Sequence, residues 1–368
     1  MIVNKTIIPD SKKVKIGIVG AGFNGQLCHI KNYSEITNCE IVALAEVRPE
    51  LREVVAKRYD ISKTYQSHAE LLEKNMEVEA VVIVTKRTMT GPIALDCINA
   101  GKSILTEKPM ASTYKQANIL VEAAKVNEVL YKVGYNKRYD EGVQKAKLIL
   151  DQLLTTKELG EIIYVRAHRF SGTGYCNSTG DIKTNEPYPD GLEEWPGAPE
   201  WVPDKWRSEY HQYLNTFSHN INLLRYFLES TPNIEYAELS KHKGQIVVMN
   251  FGNFRAMLET KNYNDDSWDE ITEIYFKNGC LKVKTPPQHL QNVPARVELH
   301  KRGEKREVFT PECSWSWSFR RQAEAFVAEV LEETEHVSGG EDSLQDLLLV
   351  EDIWRVWLEM SEKSLEKT

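Results

Sequence analysis

The sequence predicts an α/β fold in two parts. A doubly wound parallel domain is expected over residues 1–134, and an α+β domain with an open, largely antiparallel sheet over residues 135–368. Three observations predict it. Short, all-apolar, β-branched runs alternate with helical stretches up to Val133, the pattern of a parallel sheet covered on both faces. A glycine-rich turn, Gly20-Ala21-Gly22-Phe23-Asn24-Gly25, follows the first of those runs. After Gly134 the alternation stops, and residues 233–310 carry several strand-like runs with turn signals such as Asn278-Gly279.

The elements follow in order. Val14–Val19 is a β-branched strand, and Ala21–Tyr33 can form the next helix. Glu40–Ala45 is a second strand, and Pro49 suits the first turn of a helix ending near Tyr59. Ser67-His-Ala-Glu70 is a capping box. Ala80–Val84 is a third strand, a helix over Pro92–Ala100 stops at Gly101, and Ser103–Thr106 is a fourth. Ser112 is expected to cap a helix reaching about Asn127, and Val129–Val133 is a fifth strand. Beyond Gly134, a helix over Tyr139–Leu154 and a strand over Glu161–Phe170 are expected. Residues 171–212 are rich in Gly, Pro, Trp and Tyr without a period, so an ordered, functional loop is expected there. Tyr213–Leu228 reads as helical, and two helices, Phe319–Glu333 and Ser343–Glu362, close the chain.

Composition bounds the function. The chain has 368 residues, 41% of them apolar and 27% charged, as expected of a globular protein with a substantial core. Its 46 basic and 54 acidic side chains give a net charge of −8, which argues against a nucleic-acid or anionic-membrane partner. No apolar run is long enough to span a bilayer, and the start lacks the pattern of a signal peptide, so a cytoplasmic location is expected. The six cysteines form no Cys-x-x-Cys pair and read as reduced, mostly buried thiols. No Cys, His and carboxylate cluster has the spacing of a metal site.

The glycine turn has the context that dinucleotide binding needs, since a strand precedes it and a helix follows. Gly20 permits the tight turn, Gly22 lets backbone N–H groups approach a pyrophosphate, and Gly25 allows close helix–strand packing. Phe23 and Asn24, between the glycines, are placed at the cofactor with them. Glu46, at the end of the second strand, can accept hydrogen bonds from ribose hydroxyls and repel a 2′-phosphate. Arg48 pulls the other way, so NAD is the expected cofactor with NADP possible. Thr85 ends the third strand, where ligands of such sheets sit.

The tripeptide Glu107-Lys108-Pro109, at the end of the fourth strand, puts an ammonium where the reactive ring of that cofactor can lie. With Gly101-Lys-Ser-Ile-Leu-Thr before it, with Trp206-Arg207, with Tyr213-Leu-Asn215-Thr-Phe-Ser-His219-Asn-Ile-Asn222-Leu-Leu, and with Gly340-Glu-Asp-Ser-Leu344, the chain resembles the Gfo/Idh/MocA family (glucose–fructose oxidoreductase and inositol dehydrogenase) over nearly its whole length. The resemblance implies that Lys108 binds the reacting hydroxyl and that His219 is the general acid/base. Chemistry supports those roles: an imidazole near neutrality can accept and return the hydroxyl proton, and an ammonium can stabilise charge developing on the oxygen.

The sequence departs from the family pattern. Asn215 and Asn222 stand where the family has aspartates, and the paired glycines are replaced near His211-Gln212. Asn215 lies four residues before His219, hence on the same helical face, and can orient a hydroxyl or an imidazole but supplies no negative charge. The segment Lys86-Arg87-Thr88-Met89-Thr90 lacks the family's Pro-Asn-x-x-His pattern. Asn136 is expected near the nicotinamide, Arg138 and His168 near substrate oxygens, with Arg169 in the same cleft. Trp195, Trp201, Tyr175, Tyr188 and Tyr210 present flat faces that suit sugars or serve as core. The expected activity is NAD(P)-dependent hydride transfer at a secondary alcohol carbon of a sugar, glycoside or cyclitol by a homodimer or homotetramer. The alternatives are a glycoside-cleaving enzyme that oxidises its substrate transiently and a non-catalytic dinucleotide-binding sensor.

Overall fold

The structure is a computed structural model that describes residues 13–172, 176, 178–240, 243–262, 267–302, 305–332 and 338–365, with the backbone alone for 363–365. Its first sheet is built from β1 (Val14–Val19), β2 (Cys39–Ala45), β3 (Thr64–Tyr65), β4 (Ala80–Ile83), β5 (Ser103–Thr106) and β6 (Tyr131–Val133). The order is β3-β2-β1-β4-β5-β6 and every pairing is parallel. Strands β1, β4 and β5 are almost wholly buried, which is why they read as unbroken apolar runs. Strand β3, only two residues long, left no periodic signal to find.

Helices connect these strands: a π-helical turn (Gly25–Ile30) running into α1 (Lys31–Ser34), then α2 (Pro49–Arg58), α3 (His68–Lys74), α4 (Arg87–Asn99) and α5 (Tyr114–Val126). Two sequence expectations change. Thr113, not Ser112, caps α5, accepting the Gln116 N–H at 3.1 Å, while the Gln116 side chain reaches back to the Ser112 N–H. Helix α4 begins at Arg87, so Pro92 lies inside it rather than at its start. A proline there cannot bond the carbonyl four residues back. That carbonyl, on Thr88, instead accepts the Trp195 N–H at 2.8 Å.

The second half begins with a 3₁₀ turn (Asn136–Tyr139), α6 (Glu141–Thr156) and β7 (Ile162–Ser171). Helix α7 covers Asp204–Leu228, so it begins well before the expected Tyr213. Half-buried Trp206 and buried Tyr210 and Tyr213 form a stripe against the last helix, with Trp206 4.9 Å from Trp357 and Tyr210 5.4 Å from Trp354. Aromatics that seemed part of an irregular stretch thus follow a helical period. The irregular segment therefore ends at residue 203, before α7.

Strands β8 (Asn233–Glu238), β9 (Gln245–Asn250), β10 (Arg255–Asn262), β11 (Trp268–Phe276), β12 (Gly279–Lys284), β13 (Arg296–Lys301) and β14 (Glu307–Phe309) join β7 in an eight-stranded sheet. Its order is β14-β13-β12-β11-β7-β10-β9-β8, antiparallel except for β7 beside β10. Helices α8 (Ser318–Val330) and α9 (Gly340–Leu365) return to the first half. Ala323, Phe326 and Val327 of α8 pack with Ile16, Ile18 and Leu105. Lys132 of β6 forms an ion pair with Glu329 of α8 at 2.8 Å, both side chains 1% exposed. Among the described residues no helix is long and apolar enough to cross a membrane.

Candidate active site

Strand order reverses on either side of β1, so the loops after β1 and β4 open a crevice at the carboxyl ends of the strands. Gly20 closes β1 with φ +101°, and a Cβ there would lie 2.2 Å from the Val84 carbonyl oxygen. A Cβ on Gly25 would lie 2.5 Å from the Gly20 oxygen, so the helix packs directly on the turn. At Gly22 a Cβ would meet nothing nearer than the Arg48 guanidinium at 4.0 Å, which leaves the backbone open to the crevice. The glycines therefore fit a pyrophosphate cradle.

Two connected spaces extend from this turn. The smaller is lined by Val19, Gly20, Ala45, Glu46, Met89, Ile93 and the insert residues Tyr188 and Leu192, an apolar slot suited to a flat heteroaromatic ring. Thr85 and Tyr188 line both spaces. Glu46, 4% exposed, is held at the slot's edge. Its carboxylate accepts the Ala21 N–H at 2.8 Å and two bonds from the Arg48 guanidinium at 2.8 and 3.1 Å. Arg48 in turn lies 4.7 Å from the centre of the Tyr188 ring.

The insert is fastened across this slot. Ile182 exchanges two hydrogen bonds with the Gln26 side chain at 2.8 and 3.0 Å. Glu186 accepts the N–H groups of Glu50 and Leu51, each at 2.8 Å, at the start of α2. Glu194 pairs with Lys86, and the Trp195 ring occupies the space that a Cβ on Gly91 would fill. Of the aromatics expected to face a sugar, Trp195 and Trp201 pack on the core, Tyr210 is fully buried, and Tyr188 borders the slot. Tyr175 lies outside the described residues.

The larger cleft brings together Gly22, Phe23, Asn24, Gly25, Thr85, Glu107, Lys108, Asn215 and His219 from the sequence expectations. Lys108 donates to the Asn215 carbonyl oxygen at 2.8 Å. Burial pulls the Lys108 ammonium down to about 8, with Arg169, Arg87 and Lys137 adding to the fall and Glu107 opposing it. His219 is 4% exposed, and burial holds its imidazole well below its usual range, helped by the cations of Lys108, Lys137 and Arg169. It is therefore neutral at pH 7. Its Nδ1 has no hydrogen-bond partner among the described residues. Glu107 receives a bond from His29 at 2.8 Å. Burial pushes its carboxyl up, but His29 and Lys108 bring it below the ordinary value.

Three expected residues are not at the cleft. Asn136 is buried and donates to the Ser318 hydroxyl at 2.8 Å. Arg138 pairs with Asp342 at 2.6 Å and donates to Asn222 at 2.7 Å, in a buried cluster beneath α7. His168 meets Asp269 at 3.0 Å and stacks on Phe170. Arg169, the next residue along β7, does line the cleft. So do Arg87, Asn262, Trp268, Gln288, His289 and Phe319. His289 meets the Asn24 side chain at 3.0 Å, a contact 265 positions apart in the chain that no local pattern announces.

The doubly wound sheet, the glycine cradle and the apolar slot define a dinucleotide-binding domain of the Rossmann type. Residues 14–135 match the sequence model of the Gfo/Idh/MocA family, described as "Oxidoreductase family, NAD-binding Rossmann fold", and this domain belongs to that family. The chain is 29% identical over 173 residues to an inositol 2-dehydrogenase/D-chiro-inositol 3-dehydrogenase of Lacticaseibacillus casei, covering 46% of this chain and 48% of that one. It is also 29% identical over 154 residues to a glucose-6-phosphate 3-dehydrogenase of Bacillus subtilis, covering 42% and 41%. The matched stretches thus span about half the length of these relatives or less. An aldose–aldose oxidoreductase from Caulobacter crescentus shares the fold over 95% of this chain and 98% of its own, with a TM-score of 0.72 and 17% identity.

Proposed function

We propose that the protein is an NAD-dependent dehydrogenase that interconverts a secondary alcohol and a ketone on a sugar or cyclitol. The observation that carries this reading is the convergence of Lys108, Asn215 and His219 on the cleft that begins at the glycine cradle. A bound nicotinamide would supply the hydride acceptor. Lys108 would donate a hydrogen bond to the substrate hydroxyl and hold negative charge as it grows on the oxygen. His219, neutral at pH 7, would accept the hydroxyl proton in oxidation and return it in reduction. The relatives' named activities, inositol and glucose-6-phosphate dehydrogenation, support the same chemistry. NAD is favoured over NADP because the Arg48 guanidinium is held by Glu46 through two hydrogen bonds and is not free to take a 2′-phosphate. We place cofactor binding in residues 1–134 and substrate binding with assembly in 135–368, as a homodimer or homotetramer. Reduced-nicotinamide absorbance with NAD or NADP across sugars, sugar phosphates, uronates and inositols tests the proposal. Silence with every compound, while NAD binding is shown by thermal shift, counts against it.

One observation favours a second reading. The insert closes over the slot that would hold the adenine, through Tyr188, Leu192 and Glu186. A dinucleotide held there suits a cycle in which the cofactor is reset on the enzyme rather than released. Protein that purifies with nucleotide bound and turns over a sugar without net cofactor reduction supports this version.

A further inference from the structure

The cleft carries more positive charge than the proposed reaction needs. Arg169 projects from β7 over Trp268, 4.9 Å from the ring centre, and donates one bond to the Thr216 carbonyl at 2.5 Å. Its Nε is buried without a hydrogen-bond partner among the described residues. Arg87, at the start of α4, donates to the His211 carbonyl at 3.1 Å. Neither guanidinium is paired with a carboxylate among the described residues, and Lys108 is not either. Burial lowers both arginines from their ordinary value; at Arg169 only Glu270, a carboxylate already paired with Lys137, opposes the fall.

The other charges in and around the cleft are already matched. Lys86 has Glu194, Lys137 has Glu270, and Glu107, the one carboxylate among the described lining residues, has His29. The family's aspartate, which would offset one of the remaining cations, is Asn215 in this chain. Desolvated, unpaired guanidiniums are costly unless a ligand completes them, and their planar forks match carboxylate and phosphate oxygens.

We propose that the substrate of this site is an anionic carbohydrate, a sugar or cyclitol bearing a phosphate or a carboxylate, whose anion is held between Arg169 and Arg87 while Lys108 takes the reacting hydroxyl. The inference rests on the dehydrogenase reading above and narrows its substrate. The dinucleotide's own phosphates are a separate matter. They belong to the glycine turn on the first sheet, whereas Arg169 stands on the second sheet against α7. An anion here would also return to the cleft the negative charge that Asn215 lacks, and so favour the protonated form of His219 as it takes up the hydroxyl proton.

The test is calorimetric binding to the NAD-saturated protein, using matched sets: glucose with glucose 6-phosphate and glucuronate, galactose with galacturonate, and myo-inositol with its monophosphate. Sugar phosphates and uronates separate the two sources of the anion. In at least one set the anionic member should bind roughly tenfold to hundredfold more tightly than the neutral one, the range for hydrogen bonds to a charged group. The preference should shrink with ionic strength and should be lost in Arg169→Gln, which keeps a donor for Thr216. Arg87→Gln is the second variant if the first does not fold. Neutral sugars bound as tightly as their anionic partners, and unchanged in either variant, would overturn the inference and leave the dehydrogenase reading standing. Loss of NAD affinity in Arg169→Gln with anion preference intact would also overturn it. Anion-selective binding without turnover sustains the inference and removes the dehydrogenase reading. Failure of every set to bind counts against both.

Discussion

Replacing Asn215 by aspartate restores one negative charge to a cleft that already holds Lys108, Arg87 and Arg169. Positions 215 and 219 are neighbours on one face of α7, with Cβ atoms ~6 Å apart by helical geometry. At that separation and an effective dielectric of ~20, two unit charges interact by about 2.8 kcal/mol, or about two pKa units. The new carboxylate favours the protonated form of both His219 and Lys108, so both values rise. Oxidation requires His219 neutral and Lys108 charged. In the native protein the acid limb of kcat/KM should therefore lie below the ordinary histidine value, and the alkaline limb near 8, where Lys108 loses its proton. In Asn215→Asp the whole bell should move up by roughly two units, and affinity for an anionic sugar should fall. The assay is kcat/KM from about pH 5 to about pH 10 in both proteins, with thermal midpoints to show that each is folded at every pH used. An acid limb that stays in place in a folded variant refutes the assignment of that limb to His219.

Other consequences can be measured separately. His219→Asn should lower kcat by ~10²–10⁴-fold with NAD affinity intact, and unchanged turnover would remove the imidazole from the chemistry. Tyr188→Ala opens the slot beneath the insert and should weaken NAD binding by about tenfold in a fluorescence titration. Gly91→Ala should loosen the same strap, since its methyl would lie 2.2 Å from the Trp195 ring, and an unchanged NAD dissociation rate would count against the strap. Lys132→Met leaves Glu329 buried without its cation and should cost ~3–5 kcal/mol in urea unfolding, with much of it recovered by adding Glu329→Leu. A double variant as unstable as the single one would contradict that account.

The strand–helix alternation, the glycine turn and the Glu107-Lys108-Pro109 tripeptide were legible because each is a local pattern with one physical meaning. The all-apolar strands declare a sheet buried on both faces, and glycine is required at 20 by a positive φ and at 25 by contact with the Gly20 carbonyl in the same turn. What was not legible depends on tertiary partners. Pro92 reads as a helix start because nothing local reveals that an N–H from residue 195 will take the carbonyl it strands. Trp206 and Tyr210 read as part of a loop because the surrounding Pro, Gly and acidic residues hide a helical stripe that Trp354 and Trp357 complete. Asn136, Arg138 and His168 sit at the right strand ends in sequence, yet Ser318, Asp342 and Asp269 claim them. His289 reaches the cleft from a distant loop and Phe319 from the first turn of α8, which no spacing rule foresees.

The two aspartate-to-asparagine departures turn out to differ in kind. Asn222 accepts from Arg138 and donates to Asp346 at 2.8 Å, in a buried network where Arg225 also binds Asp346 and Asp342. Asp346 and Asp342 already supply the carboxylates of that network. An amide at 222 satisfies a donor and an acceptor at once, which a carboxylate there could not do. This change alters packing beneath the helix and does not touch the cleft. Asn215 does line it, and its backbone oxygen anchors the Lys108 ammonium. The positioning of the lysine is thus kept by the main chain, while the charge that would pair with it is gone. An inactive sensor would have no need to retain a buried, depressed lysine beside a buried, neutral imidazole, each costly to desolvate. Their retention, together with two arginines that meet no carboxylate among the described residues, fits a catalytic cleft whose missing negative charge arrives with the substrate.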